Sequence, residues 1–277
     1  MELVKNPVLG AICGDMIGVP YEWYCKNNKE IPEDFPLWTI NSHFSDDTVM
    51  TLAVAEWLLN SPVSSENLVK IMQKWGRRYR KAGYGGMFGK WIDSDNPQPY
   101  NSFGNGSAMR VSPVGCAFKD FETTLAIAKQ SAEVSHNHPE GIKGAQCIAD
   151  AIWYIRTYKN KFDKNIFITW LTKYYRKIQL INNPDWIIKG GYKFDSTCQG
   201  SVPQAICCFL SSESYEETVR NAIMLRGDAD TQAAIAGSMA AARWGIPRDI
   251  ADEGIERLSD DLRTVLENFS EKYNLPL

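Results

Sequence analysis

The chain has 277 residues, with 30 lysines and arginines against 33 aspartates and glutamates, so its formal net charge is −3. Hydrophobic residues make up 44% and charged residues 23%, which is typical of a globular protein with a full core. This balance argues against a disordered chain and against a nucleic-acid partner, which would require a basic surplus. The seven scattered cysteines form no Cys-x-x-Cys pair, so we expect reduced, buried thiols in a cytoplasmic protein.

Two kinds of targeting segment are not expected. No apolar run approaches the ~20 residues that a membrane-spanning helix requires, so no membrane partner is predicted. The first residues lack the basic region and long apolar stretch of a signal peptide.

Apolar residues recur at three- and four-residue steps along most of the chain, as in amphipathic helices. These runs lie at 49–58, 65–80, 122–134, 141–157, 165–178, 215–225, 231–243 and 253–273. Alternation with period two is scarce, and the best strand candidate is 186–188. The Gly-, Asn- and Pro-rich pieces at 25–45, 83–106 and 182–201 predict long loops of functional interest. We predict one compact all-α domain over 1–277, an orthogonal bundle of helices with long functional loops.

Oxygen-bearing residues gather immediately before two of the predicted helices. The first cluster consists of Ser45, Asp46 and Asp47, and the second of Asp228, Asp230 and Thr231. Ser45 is a good N-cap with the two following carboxylates in the first helical turn, and Asp230 or Thr231 is expected to cap the second helix. Capping alone explains either cluster, because carboxylates favour the positive end of the helix dipole.

Together, the two clusters contain more oxygen donors than two helix caps can use. Each supplies two carboxylates and a hydroxyl ahead of a helix apolar enough to be buried, and carboxylates held together repel unless they are protonated or bridged by a cation. All-oxygen ligand sets suit Mg²⁺, Mn²⁺ or Ca²⁺. An EF-hand is excluded because Ala233 and Met239 stand where Gly and Glu are required. A prenyl-diphosphate box is excluded because Met50 stands where an acid is required.

Three other segments carry candidate functional residues. The turn Ser102-Phe103-Gly104-Asn105 leads into a helix and suits a phosphate, with an ordinary Gly-Asn turn as the alternative. His136 and His138 are spaced as metal ligands, and packing or hydrogen bonding is the alternative. Glu22 follows a glycine-bearing helix, where it is either a functional carboxylate in a loop or a plain surface residue.

Together and in this order, these segments resemble the ADP-ribosylglycohydrolase family, the group that includes the dinitrogenase reductase-activating and ADP-ribosylarginine glycohydrolases. The matching motifs are Gly14-Asp15-x-x-Gly18-x-Pro20-x-Glu22, Ser45-Asp46-Asp47-Thr48, Tyr84-Gly85-Gly86, Phe103-Gly104-Asn105-Gly106-Ser107-Ala108-Met109-Arg110, Ser135-His136, Gly200-Ser201-Val202-Pro203 and Gly227-Asp228-Ala229-Asp230-Thr231. They span residues 9 to 247 approximately.

The resemblance implies the all-α fold of that family and two Mg²⁺ or Mn²⁺ ions between helix starts. The metal ligands it implies are Ser45, Asp46, Asp47, Asp228, Asp230 and Thr231. Glu22 matches the catalytic glutamate, on a loop that covers the metals. The residues implied to hold the pyrophosphate and adenosine of ADP-ribose are Gly85, Ser102, Phe103, Gly104, Asn105 and His136.

The implied reaction is hydrolysis of the glycosidic bond at C1″ of ADP-ribose, with Glu22 moving a proton between water and the leaving group. The partner is then an ADP-ribosylated protein or a small ADP-ribose conjugate. We expect arginine-linked ADP-ribose, with serine-linked or free ADP-ribosyl metabolites as the alternative. A non-catalytic ADP-ribose-binding or structural member is the rival from another class. The sequence does not indicate the oligomeric state.

The chain departs from the usual family pattern at four positions. Ser45 and Ala229 stand where Thr is usual, Arg226 replaces a glycine, and Gln232 replaces an Asn. No implied metal ligand is lost. The cation of Arg226 beside Asp228 predicts an altered substrate rim or an ion pair with the acidic cluster.

Overall fold

The computed structural model describes residues 2–180 and 191–277, and nearly all of their regular structure is α-helical. In chain order the described helices are α1 Pro7–Lys26, α2 Asp46–Leu59, α3 Ser65–Arg78, α4 Gly86–Asp93, α5 Gly106–Met109, α6 Ser112–Ala117, α7 Phe121–Glu133, α8 Pro139–Thr157, α9 Lys164–Leu171, α10 Lys177–Leu180, α11 Cys198–Leu210, α12 Tyr215–Met224, α13 Ala229–Arg243, α14 Arg248–Glu256 and α15 Asp260–Lys272. The strands β1 (Leu3–Val4) and β2 (Ile246–Pro247) pair antiparallel. The predicted all-α class is confirmed.

Helices α1 and α13 form the centre of the bundle. Helix α1 packs along α13, and both are buried on most sides. Helix α2 packs against α1, α3, α6 and α15, while α8 packs against α6, α7, α11 and α13. The starts of α2 and α13 are therefore brought to the same region beside the second half of α1.

Glycines at every fourth position of α1 allow its backbone to touch that of α13. A Cβ added at Gly14 would lie 2.2 Å from the carbonyl oxygen of Ala233, and one added at Gly18 would lie 2.5 Å from the Cα of Asp230. Gly10 lies as close to Gly237. Because residues four apart share one face of a helix, the three glycines form one flat strip. The start of α13 is thereby held against α1 by backbone contact.

The helices predicted from six of the apolar runs are confirmed. The runs at 49–58, 65–80, 122–134, 141–157, 215–225 and 231–243 correspond to α2, α3, α7, α8, α12 and α13, with ends that differ by at most three residues. Capping residues explain some of these starts. Ser64, for example, accepts a hydrogen bond from the Asn67 amide at the start of α3, and Ser214 accepts one from the Glu217 amide at the start of α12.

Two predicted helices are each interrupted. The run at 253–273 divides into α14 and α15, because Ser259 begins a new helix with Asp260 and Asp261 in its first turn. The run at 165–178 divides into α9, which ends at Leu171, and α10. The apolar periodicity continues across both breaks because the helices on the two sides of each break bury their apolar residues in the same core.

The predicted loops are shorter than expected. The loop at 83–106 contains α4, whose Phe88, Trp91 and Ile92 are buried on one face. The loop at 182–201 ends where Thr197 caps α11, and that helix gives little periodic signal because it is buried on all sides. The loop at 25–45 begins after α1 ends at Lys26. Residues 181–190, which include the strand candidate 186–188, lie outside the described residues.

Two further features concern the cysteines and the hydropathy of the described helices. All seven cysteines are buried free thiols. Among residues 2–180 and 191–277, none of the helices combines the length and hydropathy that a bilayer crossing requires.

Replacement of Gly14 by Ala tests the contact between α1 and α13. The added methyl group would overlap the Ala233 carbonyl oxygen, so the two helices must separate. We expect Gly14→Ala to lower the free energy of unfolding by about 2–3 kcal/mol, at the upper end for overpacking. Urea unfolding followed by circular dichroism measures this change.

Gly86→Ala is the matched control, because a Cβ there would meet no atom within 4 Å and alanine favours a helix. An unfolding midpoint of Gly14→Ala equal to that of Gly86→Ala would show that the helices are not in backbone contact.

Candidate functional site

One cavity contains nearly all of the site residues predicted from the sequence. It has a volume of about 560 Å³ and lies between the second half of α1, the starts of α2 and α13 and the turn before α5. The predicted residues that line it are Glu22, Ser45, Asp46, Asp47, Gly85, Ser102, Gly104, Asn105, His136, Asp228, Asp230 and Thr231. Phe103 lies beside the cavity, with its ring half-exposed and packed edge-on against His138 at 5.3 Å between ring centroids.

A carboxylate from α1 caps the start of α2. Asp15 Oδ2 accepts hydrogen bonds from the backbone amides of Ser45 (2.9 Å) and Thr48 (3.1 Å). The hydroxyls of Ser45 and Thr48 each donate to Asp15 at 2.6 Å. Ser45 is also the predicted N-cap, since its Oγ accepts from the Asp47 amide. Asp15 therefore fixes the first turn of α2, with Asp46 and Asp47, against α1.

The two acidic clusters meet across the cavity. Thr231 Oγ1 donates to Asp47 Oδ2 at 3.2 Å, although the two residues are 184 positions apart. Carboxylate oxygens of Asp15, Asp47 and Asp230 all lie within 4.8 Å of one another, and so do those of Glu22, Asp228 and Asp230. Asp230 belongs to both groups. The expectation that the starts of α2 and α13 face each other therefore agrees with the geometry.

Burial disfavours the charged form of the carboxylates in this cluster. Burial, reinforced by the neighbouring carboxylates, raises the pKa of Asp47 and Asp230. Burial also raises the pKa of Asp15, although the hydrogen bonds from Ser45 and Thr48 oppose it. Burial also raises the pKa of Asp46 to about 8 and that of Asp228 to about 6. Ion pairs from lysine or arginine to these five carboxylates are absent from the described part of the chain. No cation is thus paired directly with them, and the Lys26 ammonium, which pairs with Glu22, favours the charged form of Asp228 only from a distance.

The donor set fits a hard divalent cation. Asp47 Oδ1 is buried and has no hydrogen-bond donor among the described residues, which is costly unless a cation or proton occupies that side. The converging groups are carboxylates and hydroxyls, with no thiol or imidazole among the grouped ligands. Oxygen ligands of this type are those that Mg²⁺, Mn²⁺ and Ca²⁺ prefer.

Glu22 lies within α1 rather than in a loop. The sequence predicted that the helix would end before this residue, but α1 continues through Pro20 to Lys26, because Tyr21 and Cys25 remain buried on its inner face. The Glu22 carboxylate reaches the cavity and accepts a hydrogen bond from Lys26. The Lys26 ammonium also lies 5.3 Å from the centre of the Phe194 ring.

The start of α13 differs in detail from the prediction. Asp228, not Asp230 or Thr231, is the N-cap residue, and its side chain makes no capping bond. It instead accepts a hydrogen bond from Asn105 Nδ2 at 2.8 Å. The Asp228 carboxylate thus faces the cavity because Asn105 holds it there.

Arg226 does not form the ion pair that was considered for it. Among the described residues, it pairs with none of the cavity carboxylates. Its φ is +60°, a left-handed conformation that favours glycine. This backbone requirement explains why a glycine is usual at the position.

Aromatic and cationic side chains also line the cavity. Arg110, His136 and Tyr100 line it together with the turn before α5. Ser102 Oγ accepts from the Gly104 amide at 3.1 Å and so closes that turn. A Cβ at Gly85 would meet nothing within 4 Å, so this part of the wall is open. The lining of the cavity therefore combines the buried carboxylates with the buried Arg110 guanidinium and the His136 ring.

The two histidines of the His-x-His pair have different surroundings. His138 caps α8 by accepting from the Glu140 amide at 3.1 Å. His136 is buried at the cavity wall, and its Nδ1 lies 2.8 Å from Ser135 Oγ. Burial, with the nearby Arg110, lowers the pKa of His136 well below its usual range. The hydrogen-bonding alternative is therefore the one observed for His138.

Comparison with known proteins adds the family. A model of the ADP-ribosylglycohydrolase family matches residues 2–276. The chain belongs to the ADP-ribosylglycohydrolase family. The family hydrolyses ADP-ribosylated substrates and is generally metal-dependent, so the recognition made from the sequence motifs is confirmed.

The individual relatives of this chain are distant in sequence. ADP-ribosylhydrolase ARH3 of Mus musculus is 24% identical over 87% of this chain and 84% of its own length. ADP-ribosylarginine hydrolase Tri1 of Pseudomonas putida is 21% identical over 89% of this chain and 71% of its own. A solved structure described as an ADP-ribosylglycohydrolase-related protein complex superposes with a TM-score of 0.68 at 20% identity, covering 97% of this chain and 98% of that one. The last match shows the shared fold.

Sequence reasoning missed Arg110 and Lys26, which line the cavity, and Asp15, which caps α2 beside it. Asp15 was noted only as part of a motif. Its position directly after Gly14, one of the evenly spaced glycines of α1, was the available signal. Arg110 ends the Phe103–Arg110 motif, but a lone arginine gives no sign that it will be buried. Lys26 lies four residues after Glu22, a spacing that brings opposite charges together on a helix.

The effect of Mg²⁺ on thermal stability is expected to depend on pH. Because the pKa values of Asp46 and Asp228 are raised, the folded protein holds protons that the unfolded chain releases near pH 4. Without divalent cations, the free energy of unfolding therefore falls as pH rises from about 5 to about 8. Mg²⁺ bound by these carboxylates would replace those protons, so we expect it to stabilise the protein most at the higher pH, by about 2.7 kcal/mol at roughly 100-fold excess over its Kd.

Differential scanning calorimetry at about pH 5 and about pH 8 measures this dependence. Asp47→Asn should reduce the Mg²⁺ effect, whereas Asp93→Asn, an exposed carboxylate paired with Arg80, should retain it. Equal stabilisation at the two pH values would contradict a proton-competing cation site.

Proposed function

We propose that this protein is a metal-dependent ADP-ribosyl hydrolase that cleaves the glycosidic bond at C1″ of ADP-ribose. The observation that carries the proposal is the lining of the cavity. Buried carboxylates without directly paired cations share this lining with Arg110 and His136. A ligand that carries both ribose hydroxyls and phosphates matches these groups. The family match supports the same reaction.

The cluster of buried carboxylates is proposed to hold two Mg²⁺ or Mn²⁺ ions. The two carboxylate groups that share Asp230 and the unpartnered Asp47 Oδ1 support this assignment. The proposed ligands are Ser45, Asp46 and Asp47 from the start of α2, and Asp228, Asp230 and Thr231 from the start of α13. When bound, such ions supply Lewis-acid polarisation and a template for the ribose hydroxyls.

Asp15 is proposed to orient the ligands rather than to bind a cation. Both of its oxygens already accept hydrogen bonds from Ser45 or Thr48. A carboxylate with that many donors has little remaining capacity as a ligand. Its contribution is to hold the first turn of α2 in place.

Glu22 is proposed to transfer the proton. Lys26 holds one carboxylate oxygen, which leaves the other free to face the cavity. As the bond at C1″ breaks, Glu22 takes a proton from the attacking water and a proton passes from Glu22 to the departing atom. Water oxygen ends on C1″ and the leaving group departs protonated. The developing positive charge on the ribose ring is favoured by the surrounding carboxylates.

The turn before α5, together with Gly85 and His136, is proposed to hold the rest of ADP-ribose. Gly85, Ser102, Gly104, Asn105 and His136 all line the cavity. Phe103 flanks it, and its backbone carbonyl accepts from the Cys198 amide at 2.9 Å. This bond ties the turn to the start of α11 and so keeps the wall in place.

The leaving group is proposed to be arginine, on the analogy of the relative Tri1, whose name describes it as an ADP-ribosylarginine hydrolase. A neutral leaving group, such as serine, is the second candidate. It is favoured by Lys26 and Lys81, whose side chains line the same cavity as Glu22 and would repel a guanidinium.

Glu22→Gln is expected to separate binding from hydrolysis. The amide keeps the shape of the side chain but cannot take a proton, so release of ADP-ribose should fall by roughly 10²–10⁴-fold. Binding of ADP-ribose with Mg²⁺, measured by calorimetry, should be retained. Glu253→Gln is the control, because Glu253 has the same i,i+4 pairing to a cation, Arg257, outside the cavity. Unchanged turnover in Glu22→Gln would remove this residue from the proposed role.

A panel of substrates tests the leaving group. Arginine-linked, serine-linked and nucleotide-linked ADP-ribose are incubated with the protein and Mg²⁺ or Mn²⁺, and free ADP-ribose is quantified by chromatography. We expect fastest release from the arginine linkage. Faster release from the serine linkage supports the neutral leaving group, and release from none of them contradicts the hydrolase proposal.

A further inference from the structure

His136 lies at the cavity wall with one ring nitrogen occupied. His136 is 5% exposed and lies in the connection between α7 and α8. The ring packs near Phe88 and Tyr100, with centroids 6.3 Å and 5.8 Å away. Nδ1 lies 2.8 Å from Ser135 Oγ. Which ring nitrogen carries the proton therefore depends on whether the Ser135 hydroxyl donates or accepts this hydrogen bond.

Arg110 determines the direction of that hydrogen bond. Its buried guanidinium donates through Nη2 to the Ser131 carbonyl at 2.8 Å and to Ser135 Oγ at 3.0 Å. Arginine can only donate, so Ser135 Oγ accepts here. The single hydroxyl proton of Ser135 is then left to find an acceptor.

His136 Nδ1 is the acceptor that the surroundings offer. Within the described residues, Ser135 Oγ has hydrogen-bond partners only in Arg110 and His136. If Nδ1 carried a proton, the hydroxyl proton of a fully buried serine would be left unpaired, which folded proteins avoid. Ser135 therefore donates to Nδ1, and the ring proton is on Nε2.

The protonated nitrogen faces the turn before α5. A Cβ added at Gly106 would lie 3.1 Å from Nε2, and one added at Gly104 would lie 3.5 Å from it. Both glycines line the cavity, and Nε2 has no hydrogen-bond partner among the described residues. The absence of side chains at these positions leaves the Nε2–H accessible to a ligand.

The groups that face the ring keep it uncharged. Burial and Arg110 lower the pKa of His136, and burial raises the pKa of Tyr100 to about 12. No carboxylate is paired with Arg110 among the described residues. A second proton on His136 would thus be placed beside a buried positive charge, with nothing negative to stabilise it.

We infer that Arg110 and Ser135 are positioning residues that fix His136 as its Nε2–H tautomer, a neutral donor to an anionic oxygen of the ligand. The identity of that oxygen as one of the ADP-ribose phosphates rests on the proposed function. The tautomer itself does not, because it follows from the hydrogen bonds of the protein alone.

Nitrogen NMR of the ligand-free protein tests the tautomer directly. The chain has three histidines, so ¹⁵N-histidine labelling gives three imidazole patterns, and the His136 pattern is assigned by its loss in His136→Gln. We expect a proton on Nε2, none on Nδ1, and the same pattern from about pH 5 to about pH 8, spanning the usual histidine pKa. A proton on Nδ1, or a doubly protonated ring at neutral pH, would overturn the inference.

Variants at Ser135 test the role of the positioning residues. Ser135→Ala should give a mixture of tautomers and weaken ADP-ribose binding on the order of tenfold, the usual size for one charge-assisted hydrogen bond. Ser135→Thr keeps the hydroxyl and should restore both. Ser131→Ala is the matched control, because that buried hydroxyl donates to the Ala128 carbonyl instead, and it should change neither readout.

The outcomes separate this inference from the proposed function. The expected tautomer without any ADP-ribose binding contradicts the function and leaves the inference standing. Tight binding by a protein whose His136 carries its proton on Nδ1 contradicts the inference alone. If Ser135→Ala does not fold, the wild-type spectrum still decides the tautomer.

Discussion

Backbone contact between α1 and α13 is the constraint on which the rest of the site depends. Gly14 and Gly18 bring the α1 backbone against the first turns of α13, so Asp230 has a fixed position relative to α1. Asp15 follows Gly14 directly and caps α2. The same few residues of α1 therefore fix the positions of both acidic helix starts. The link to α13 is backbone contact and the link to α2 is one short aspartate side chain, so the distance between the two starts is well defined.

The buried carboxylate cluster lowers the stability of the fold, and it supplies the groups that the proposed reaction uses. Burying five carboxylates together raises their pKa values, so part of the folding free energy from the surrounding core is used to hold them. Arg226 adds a left-handed non-glycine residue just before the same helix. A divalent cation would relieve the repulsion, which links metal binding to stability. The neutral His136 and the buried Arg110 add further preorganised polar groups to the same cavity.

Much of this could be predicted from the sequence, because helix starts carry local signals. Ser45 with Asp46 and Asp47 has the composition of a capped first turn, and the glycine-rich turn at 102–106 has that of a loop entering a helix. The residues that were misjudged depend on tertiary contacts. Glu22 stays helical because Tyr21 and Cys25 are buried, and α11 is apolar all round, so neither follows from local pattern. Asp15 gains its role only when Ser45 and Thr48 are brought to it from 30 or more positions away.

The central claim is that two aspartate-bearing helix starts share one divalent centre. Diffraction from crystals soaked in Mn²⁺, with an anomalous difference map at the manganese edge, tests it most directly. The account predicts strong peaks bounded by carboxylate oxygens of Asp47 and Asp230, with Asp228 at the same centre. Manganese bound elsewhere on the molecule, with none between those two side chains, would contradict it.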